Sequence, residues 1–265
     1  MTEGVRLAKR LAEQLGCSRR EAELYIEGGW VQVDGQVIEE PQHRVDGQTI
    51  KLDPEATLIT QPPVTLLLHK PPGFEAGLGP ATAVDPRAGP RSSHGSRSRG
   101  APPALQLLTR DNHAADDRSG QRLLKRHFSH LEAPAPLPSE ASGLVVYTQD
   151  ARILRKLLED ADTMEQEVVV EVSGEVTPRA LGLLSHGLSF NGRALPPIKV
   201  SINSQSPTQT RLRFALKGVR PGQIPSMLDS VGLKILAMKR LRIGRVSMGQ
   251  LAPGQWRYLP THERF

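Results

Sequence analysis

Leucines recur at every fourth position near the start of the chain, at Leu7, Leu11 and Leu15, with Ala8 and Ala12 beside them. Arg6, Lys9 and Arg10 fall off that stripe, so the spacing predicts an amphipathic helix over 5–15 with a basic outer side. Ser18-Arg19-Arg20-Glu21 has the form of a capping box, which starts a second helix at Arg19. That helix is expected to bury Ala22, Tyr25 and Ile26 and to stop at Gly28-Gly29, where residues without a Cβ can close the C-terminus. The period then changes from helical to alternating: Val31, Val33 and Val37 flank Asp34-Gly35, the favoured pair of a two-residue hairpin, and a third strand is expected over 49–52.

After Gln61-Pro62-Pro63, residues 64–69 read as a buried strand ending in Lys70-Pro71-Pro72-Gly73. Residues 76–103 are rich in Gly, Pro, Ala, Ser and Arg without apolar periodicity, and they predict a disordered insertion. Its Arg87, Arg91, Arg97 and Arg99 against Asp85 suit either loose phosphate contact or a solvated linker. Short ordered pieces are expected at 105–108 and 123–131, with a polar loop at 111–120. Pattern returns with strand 144–148, helix 150–159, strand 168–172, helix 178–184 and strands 198–202 and 210–215. Helix 224–231 follows, then Gly232 as its cap, strand 233–238 and a basic strand 239–245. Strands outnumber helices, which predicts an α+β protein: a small module over 1–58 and a larger mixed, antiparallel-rich sheet domain over 61–265.

Charge and composition narrow the classes. Lysine and arginine outnumber acids 34 to 28 in 265 residues, for a net charge of +6, and the excess is clustered on the first helices and on 239–245. Clustered basic charge suits a polyanionic partner. The lone cysteine, Cys17, excludes an internal disulfide framework and a cysteine-based zinc cluster; it precedes a helix cap but has no histidine neighbour in sequence to make it a nucleophile. No stretch of about 18 apolar residues and no leader-like segment are present, so the expectation is a cytoplasmic protein with no membrane partner. Nothing in the sequence calls for more than a monomer.

Two sets of residues carry family resemblance. Ser-Arg-Arg-Glu-Ala at 18–22, then Ile26, Gly29, Val31, Val33 and Gly35, resembles the RNA-binding module first described in a small-subunit ribosomal protein. The module resemblance points to phosphate contacts from Arg6, Lys9, Arg10, Arg19, Arg20 and Arg44. Arg19 and Arg20 also open a helix, where side-chain charge and free amides together favour an anion. Residues 136–150, Pro-Leu-Pro-Ser-Glu-Ala-Ser-Gly-Leu-Val-Val-Tyr-Thr-Gln-Asp, resemble the signature of RNA pseudouridine synthases, Arg-Leu-Asp followed by Ser/Thr-Gly-Leu and an apolar strand. Lys70-Pro-Pro-Gly73 and the closing Leu251-Ala-Pro-Gly-Gln-Trp-Arg-Tyr-Leu259 are further landmarks of the ribosomal enzymes of the RsuA and RluB/RluE/RluF group. The resemblance implies a pseudouridine synthase fold, structured ribosomal RNA as partner, and no cofactor or metal. Lys70, Lys239, Arg240, Arg242 and Arg245 would extend the RNA surface.

The reaction of that family breaks an N-glycosidic bond, turns the base and forms a C–C bond on an extruded nucleotide. It uses an aspartate nucleophile, an arginine just before it and a tyrosine on a following strand. By the resemblance these fall on Pro138, Pro136 and Val168, and a later Arg-Gln-Ile-Arg-Arg-Met segment falls on Gly222-Gln-Ile-Pro-Ser-Met227. The expectation is therefore an RNA-binding member of the family without isomerase activity. The alternative is an active synthase with a displaced carboxylate, Glu140, which an extended chain would put on the same side as Pro138 but some 6 to 7 Å away. Tyr147 reads as core. His127 and His130 beside Phe128 are expected on a surface helix, and Asp111, His113, Asp116 and Asp117 in a solvated polar loop rather than at a metal. There is no phosphate-binding Gly-Lys-Ser/Thr loop and no dinucleotide fingerprint.

Overall fold

The computed structural model describes residues 4–58, 62–76, 100–186 and 188–265. Most of the stretch expected to be a disordered insertion, including Asp85 and its four arginines, lies outside the described residues. Contacts divide the chain into two units, Met1–Pro63 with Arg122–Ser129, and Val64–Gln121 with His130–Phe265.

The first unit runs β1 (Val5–Arg6), α1 (Leu7–Leu15), α2 (Arg19–Glu27), β2 (Val31–Val33), β3 (Gln36–Val37), β4 (Arg44–Val45) and β5 (Ile50–Leu52). Both arms of the capping box form: Ser18 Oγ accepts from the Glu21 amide at 3.2 Å, and Glu21 accepts from the Ser18 amide at 2.8 Å. Gly29, at φ +68°, closes α2, and Asp34 and Gly35 at φ 50° and 82° make the type I′ turn between β2 and β3. Leu7, Ala8 and Leu11 pack with Ala22, Ile26, Val31, Val33, Val45 and Ile50, whereas Leu15 stays exposed and Tyr25 half-buried. The sequence pattern missed the two-stranded ribbon β1-β4, whose strands are too short to show alternation.

The surprise of this unit is Arg122–Ser129. Arg122 lies over the Trp30 ring at 4.2 Å and reaches Asp53 at 3.3 Å, Leu124 is buried, and Lys125 bonds Glu39 through its amide (2.6 Å) and Glu40 through its ammonium (2.8 Å). The expected surface helix is instead a 3-10 turn, Lys125–Phe128, with His127 1% exposed and His130 exposed at φ 50°. The two histidines share no face, because burial of Leu124 and His127 dictates the turn.

His127 makes this unit acid-sensitive. Burial, then the nearby Arg126 charge, lowers its pKa from 6.5 to about 4. Between those values the unfolded chain holds the proton and the folded one does not, so stability is complete above pH 6.5 and is lost as the pH falls towards 4. From pH 7 to 5 the loss should be about 2 kcal/mol. Urea melts should show it in the wild type and not in His127→Leu; equal pH dependence of the two would reject the assignment.

The second unit contains β6 (Thr65–Lys70), β7 (Ser142–Thr148), α3 (Ala151–Glu159), β8 (Glu165–Ser173), α4 (Pro178–Ser185), β9 (Ser189–Phe190) and β10 (Arg193–Ala194). It continues with β11 (Lys199–Gln205), β12 (Gln209–Lys217), α5 (Gln223–Ser230), β13 (Ile235–Ile243), β14 (Val246–Ser247) and β15 (Trp256–Tyr258). The main sheet has the order β11-β12-β8-β13-β7-β6-β15, with β14 on β13 and only the β7–β13 contact parallel. Alternation on β8 and β12 turns Val168, Val170, Val172, Leu212, Phe214 and Leu216 towards α4 and α5, which contribute Leu184, Ile224, Met227 and Leu228. A second core gathers Leu67, Leu144, Val146, Leu157, Ile243 and Val246. Tyr147 is buried as expected, which pushes its hydroxyl up to about 12.

Two local expectations change. The basic run expected as its own strand over 239–245 belongs to one strand, β13, with Arg245 in the following turn. The polar loop at 111–120 is not simply solvated: Asp117, its side chain 3% exposed, accepts from the amides of Tyr258 and Ser119 and pairs with His113, each at 2.8 Å. Burial alone would raise its pKa, but these bonds outweigh it and hold the carboxyl below the ordinary range. His113 also packs on Trp256, at 4.5 Å between centroids, so the loop seats the C-terminal strand. Among the described residues no group of three or more His, Cys, Asp or Glu is placed to hold a metal ion.

Candidate nucleic-acid interface and the 135–141 loop

On the first unit, Arg6 and Arg44 are direct cross-strand partners in the β1-β4 ribbon, and both are exposed. Like charges directly opposite each other are unfavourable, so this pair favours a bound anion. Arg44 is further oriented by donating to the Gly4 carbonyl at 2.9 Å. Lys9 and Arg10 stand exposed in the first turn of α1. Arg19 and Arg20 open α2, their side chains 58% and 66% exposed, each reaching the single carboxylate of Glu23 at 3.4 and 3.5 Å. Such surface pairs contribute little and leave both guanidinium groups able to meet phosphate. The helix end itself is less available than the sequence suggests, because the Glu21 carboxylate already occupies it.

On the second unit, two buried cations hold the 135–141 loop. Arg240, 3% exposed, donates to the carbonyls of Leu144 (2.8 Å), Ala135 (2.9 Å) and Pro136 (3.1 Å) and to the Gln166 side chain (3.3 Å). Lys70, 0% exposed, donates to the carbonyls of Phe74 (2.8 Å), Pro71 (3.1 Å) and Ser139 (3.2 Å). Burial lowers the Arg240 pKa to about 9 and the Lys70 pKa to about 8; Glu140 raises the latter and Arg240 lowers it further. Both therefore remain charged at neutral pH.

Neither Arg240 nor Lys70 can contact RNA in the folded protein, contrary to the sequence reading. The error has a geometric source. On β13 Arg240 lies opposite Val168, but the register then shifts, so Leu241 is skipped and Arg242 lies opposite Glu167. One extra residue turns Arg242 to the other face of the sheet. There it pairs with Glu165 (2.6 Å) and Glu167 (3.4 Å).

Pro136 and Pro138 carry no ionisable group, and Val168 is 4% exposed in the aliphatic core with Ile224 and Met227. The Ala141 amide donates to the Pro138 carbonyl at 3.1 Å, closing a turn over Pro138-Ser139-Glu140-Ala141. The extended chain that would align Glu140 with Pro138 is thus absent; Glu140 is exposed, close enough to Lys70 to raise its pKa but without a hydrogen bond to it. Gly143 follows at φ +113°, where a Cβ would lie 2.2 Å from the Arg240 carbonyl oxygen. That close approach explains the glycine of the Ser-Gly-Leu motif.

Known proteins resemble this chain along nearly its whole length. The S4 domain family matches residues 5–50. An uncharacterized RNA pseudouridine synthase of Mycobacterium tuberculosis is 28% identical over 263 residues, covering 98% of this chain and 91% of the relative. Ribosomal small subunit pseudouridine synthase A of Pseudomonas aeruginosa is 26% identical over 261 residues, covering 98% of each. A crystal structure of a pseudouridylate synthase shares the fold, with TM-score 0.55, 18% identity and 96% of each chain covered. The chain is thus similar along nearly its whole length to RNA pseudouridine synthases, and residues 5–50 match the S4 domain.

Proposed function

We propose that this protein binds structured ribosomal RNA through its S4 unit and keeps the synthase scaffold without isomerising uridine. The carrying observation is Pro138 at the position where the family signature has its aspartate, in a loop still fastened by Arg240 and Lys70. Proline offers no nucleophile, and the turn over 138–141 removes the extended backbone that would set Glu140 on the Pro138 side, where chemistry tolerates only about 1 Å of misplacement. Pro136 in place of the arginine and Val168 in place of the tyrosine remove the groups that would tune a substitute carboxylate. The ribosomal target follows the Pseudomonas relative, a ribosomal small subunit pseudouridine synthase, and a cytoplasmic monomer is the simplest setting.

Isomerisation releases the hydrogen at C5 of uridine, so ribosomal RNA labelled there with tritium tests the reading directly. Saturating protein should bind the RNA on filters and release no tritium above the protein-free control. Release that Glu140→Gln abolishes would instead establish the active alternative. Arg19→Glu/Arg20→Glu should weaken filter binding about ten-fold or more and flatten its dependence on salt; unchanged binding would remove the S4 unit from the interface.

A further inference from the structure

The face of the main sheet turned away from α4 and α5 carries a cleft of ≈ 400 Å³ that the proposed function leaves unused. Directly paired residues share a face, so the register gives its charge. Arg211 lies opposite Glu171, and Arg213 lies opposite Val169, with Lys239 next in the same row. Lys217 lies opposite Glu165, while Lys199 and Arg242 share the row of Glu167 through Ala215. Six cations thus stand among three carboxylates. Arg211 pairs with Glu171, Arg213 with Glu167 at 2.5 Å, and Arg242 with Glu165 and Glu167. Lys199 and Lys217 act on Glu165 at longer range, whereas Lys239 lines the cleft without forming an ion pair to a described residue.

The cleft is shaped by irregular strands. β11 shifts register between Ile202 and Ser204, and β13 shifts between Arg240 and Arg242, which leaves Asn203 and Leu241 as the extra residues. Both line the cleft. Bulges re-aim side chains and recur beside functional sites. Here they bring an amide and an aliphatic group beside Val169 and Ala237, with Arg211, Lys239 and Glu171 also in the lining. Apolar side chains, an amide and the unpaired Lys239 beside the Arg211–Glu171 pair match a nucleotide, with the base on the apolar side chains and the phosphate at Lys239. The volume lies within the roughly 300–1,000 Å³ of small-ligand pockets.

We propose that this cleft binds one or two nucleotides of single-stranded RNA, on the sheet face opposite the one where Arg240 fastens the 135–141 loop. The inference rests on the reading of the protein as RNA-binding. An acidic peptide would meet Lys239 but leave the apolar lining and Asn203 unused, which favours RNA.

The test uses the full chain and a fluorescein-labelled oligouridylate of about 12 nucleotides, followed by anisotropy between about 50 and 200 mM salt. Lys239→Gln should weaken binding about five-fold and make the logarithmic salt slope shallower by about 0.7, the value for one phosphate contact on a single strand. Asn203→Ala should weaken binding without changing the slope. Arg19→Glu/Arg20→Glu should keep a salt-dependent component that Lys239→Gln then removes. Unchanged affinity and slope in folded Lys239→Gln would overturn the inference, as would displacement of the RNA by an oligoglutamate of equal charge at equal concentration. Loss of all oligouridylate binding in the Arg19/Arg20 variant alone would overturn the cleft while leaving the S4 reading intact. Failure of the wild type to bind ribosomal RNA as well would remove the underlying reading instead.

Discussion

Gly143→Ala is expected to destabilise the larger unit by about 4 kcal/mol or more, enough to leave much of the protein insoluble on expression. Two effects combine. Gly143 sits at φ +113°, a region that side chains rarely enter, and an added Cβ would meet Arg240 backbone atoms at 2.2 and 2.6 Å. Those atoms belong to β13 and cannot swing aside like a side chain. The crowding also falls at the sheet's weakest join: β7 and β13 pair only at Ser142 with Lys239 and Gly143 with Arg240, yet this contact unites β7, β6 and β15 with the rest. Urea denaturation followed by Trp256 fluorescence would measure the loss. A variant as stable as wild type would show that β7 and β13 do not approach as described.

Arg240→Met should have the next largest effect, about 3–5 kcal/mol. Methionine keeps much of the side-chain length but leaves the carbonyls of Ala135, Pro136 and Leu144 without their donor in a buried site. The loop should loosen before the unit unfolds, because Arg240 fastens its start while Lys70 fastens Ser139. Hydrogen exchange would report this at the amides of Leu137 and Ala141, which bond to the Ala76 and Pro138 carbonyls. RNA affinity of the folded fraction should remain unchanged, since Arg240 is buried. A variant with full stability and weakened RNA binding would reverse the assignment and return Arg240 to the surface.

Much of this was legible where neighbours in sequence are also neighbours in space. The Ser18 and Glu21 box, the Asp34-Gly35 turn and the alternation on β8 and β12 are local devices, and each appears where its pattern predicts. The failures share a different cause. Arg240 and Arg242 look alike in sequence, and only a bulge against β8 puts one inside and the other on the open face. Lys70 looks like a surface cation at a strand exit until carbonyls of two turns, Pro71 and Phe74 in one and Ser139 in the other, surround it. Leu124 and His127 belong to the first unit, Leu124 lying beside Gly29 far back in the sequence, which no periodicity encodes. The same limit applies to the loop. The motif could be read, but that Glu140 lies in a turn rather than an extended strand follows from the Ala141 to Pro138 bond.

The decisive question is whether Pro138 ends the chemistry while the RNA-binding scaffold persists. A mass-spectrometric map of pseudouridine in ribosomal RNA, from cells with and without this protein, decides it. The map should be identical in both, while the protein co-purifies with ribosomal particles from the cells that contain it. A pseudouridine that disappears on deletion and is restored by purified protein on an unmodified transcript would contradict the account.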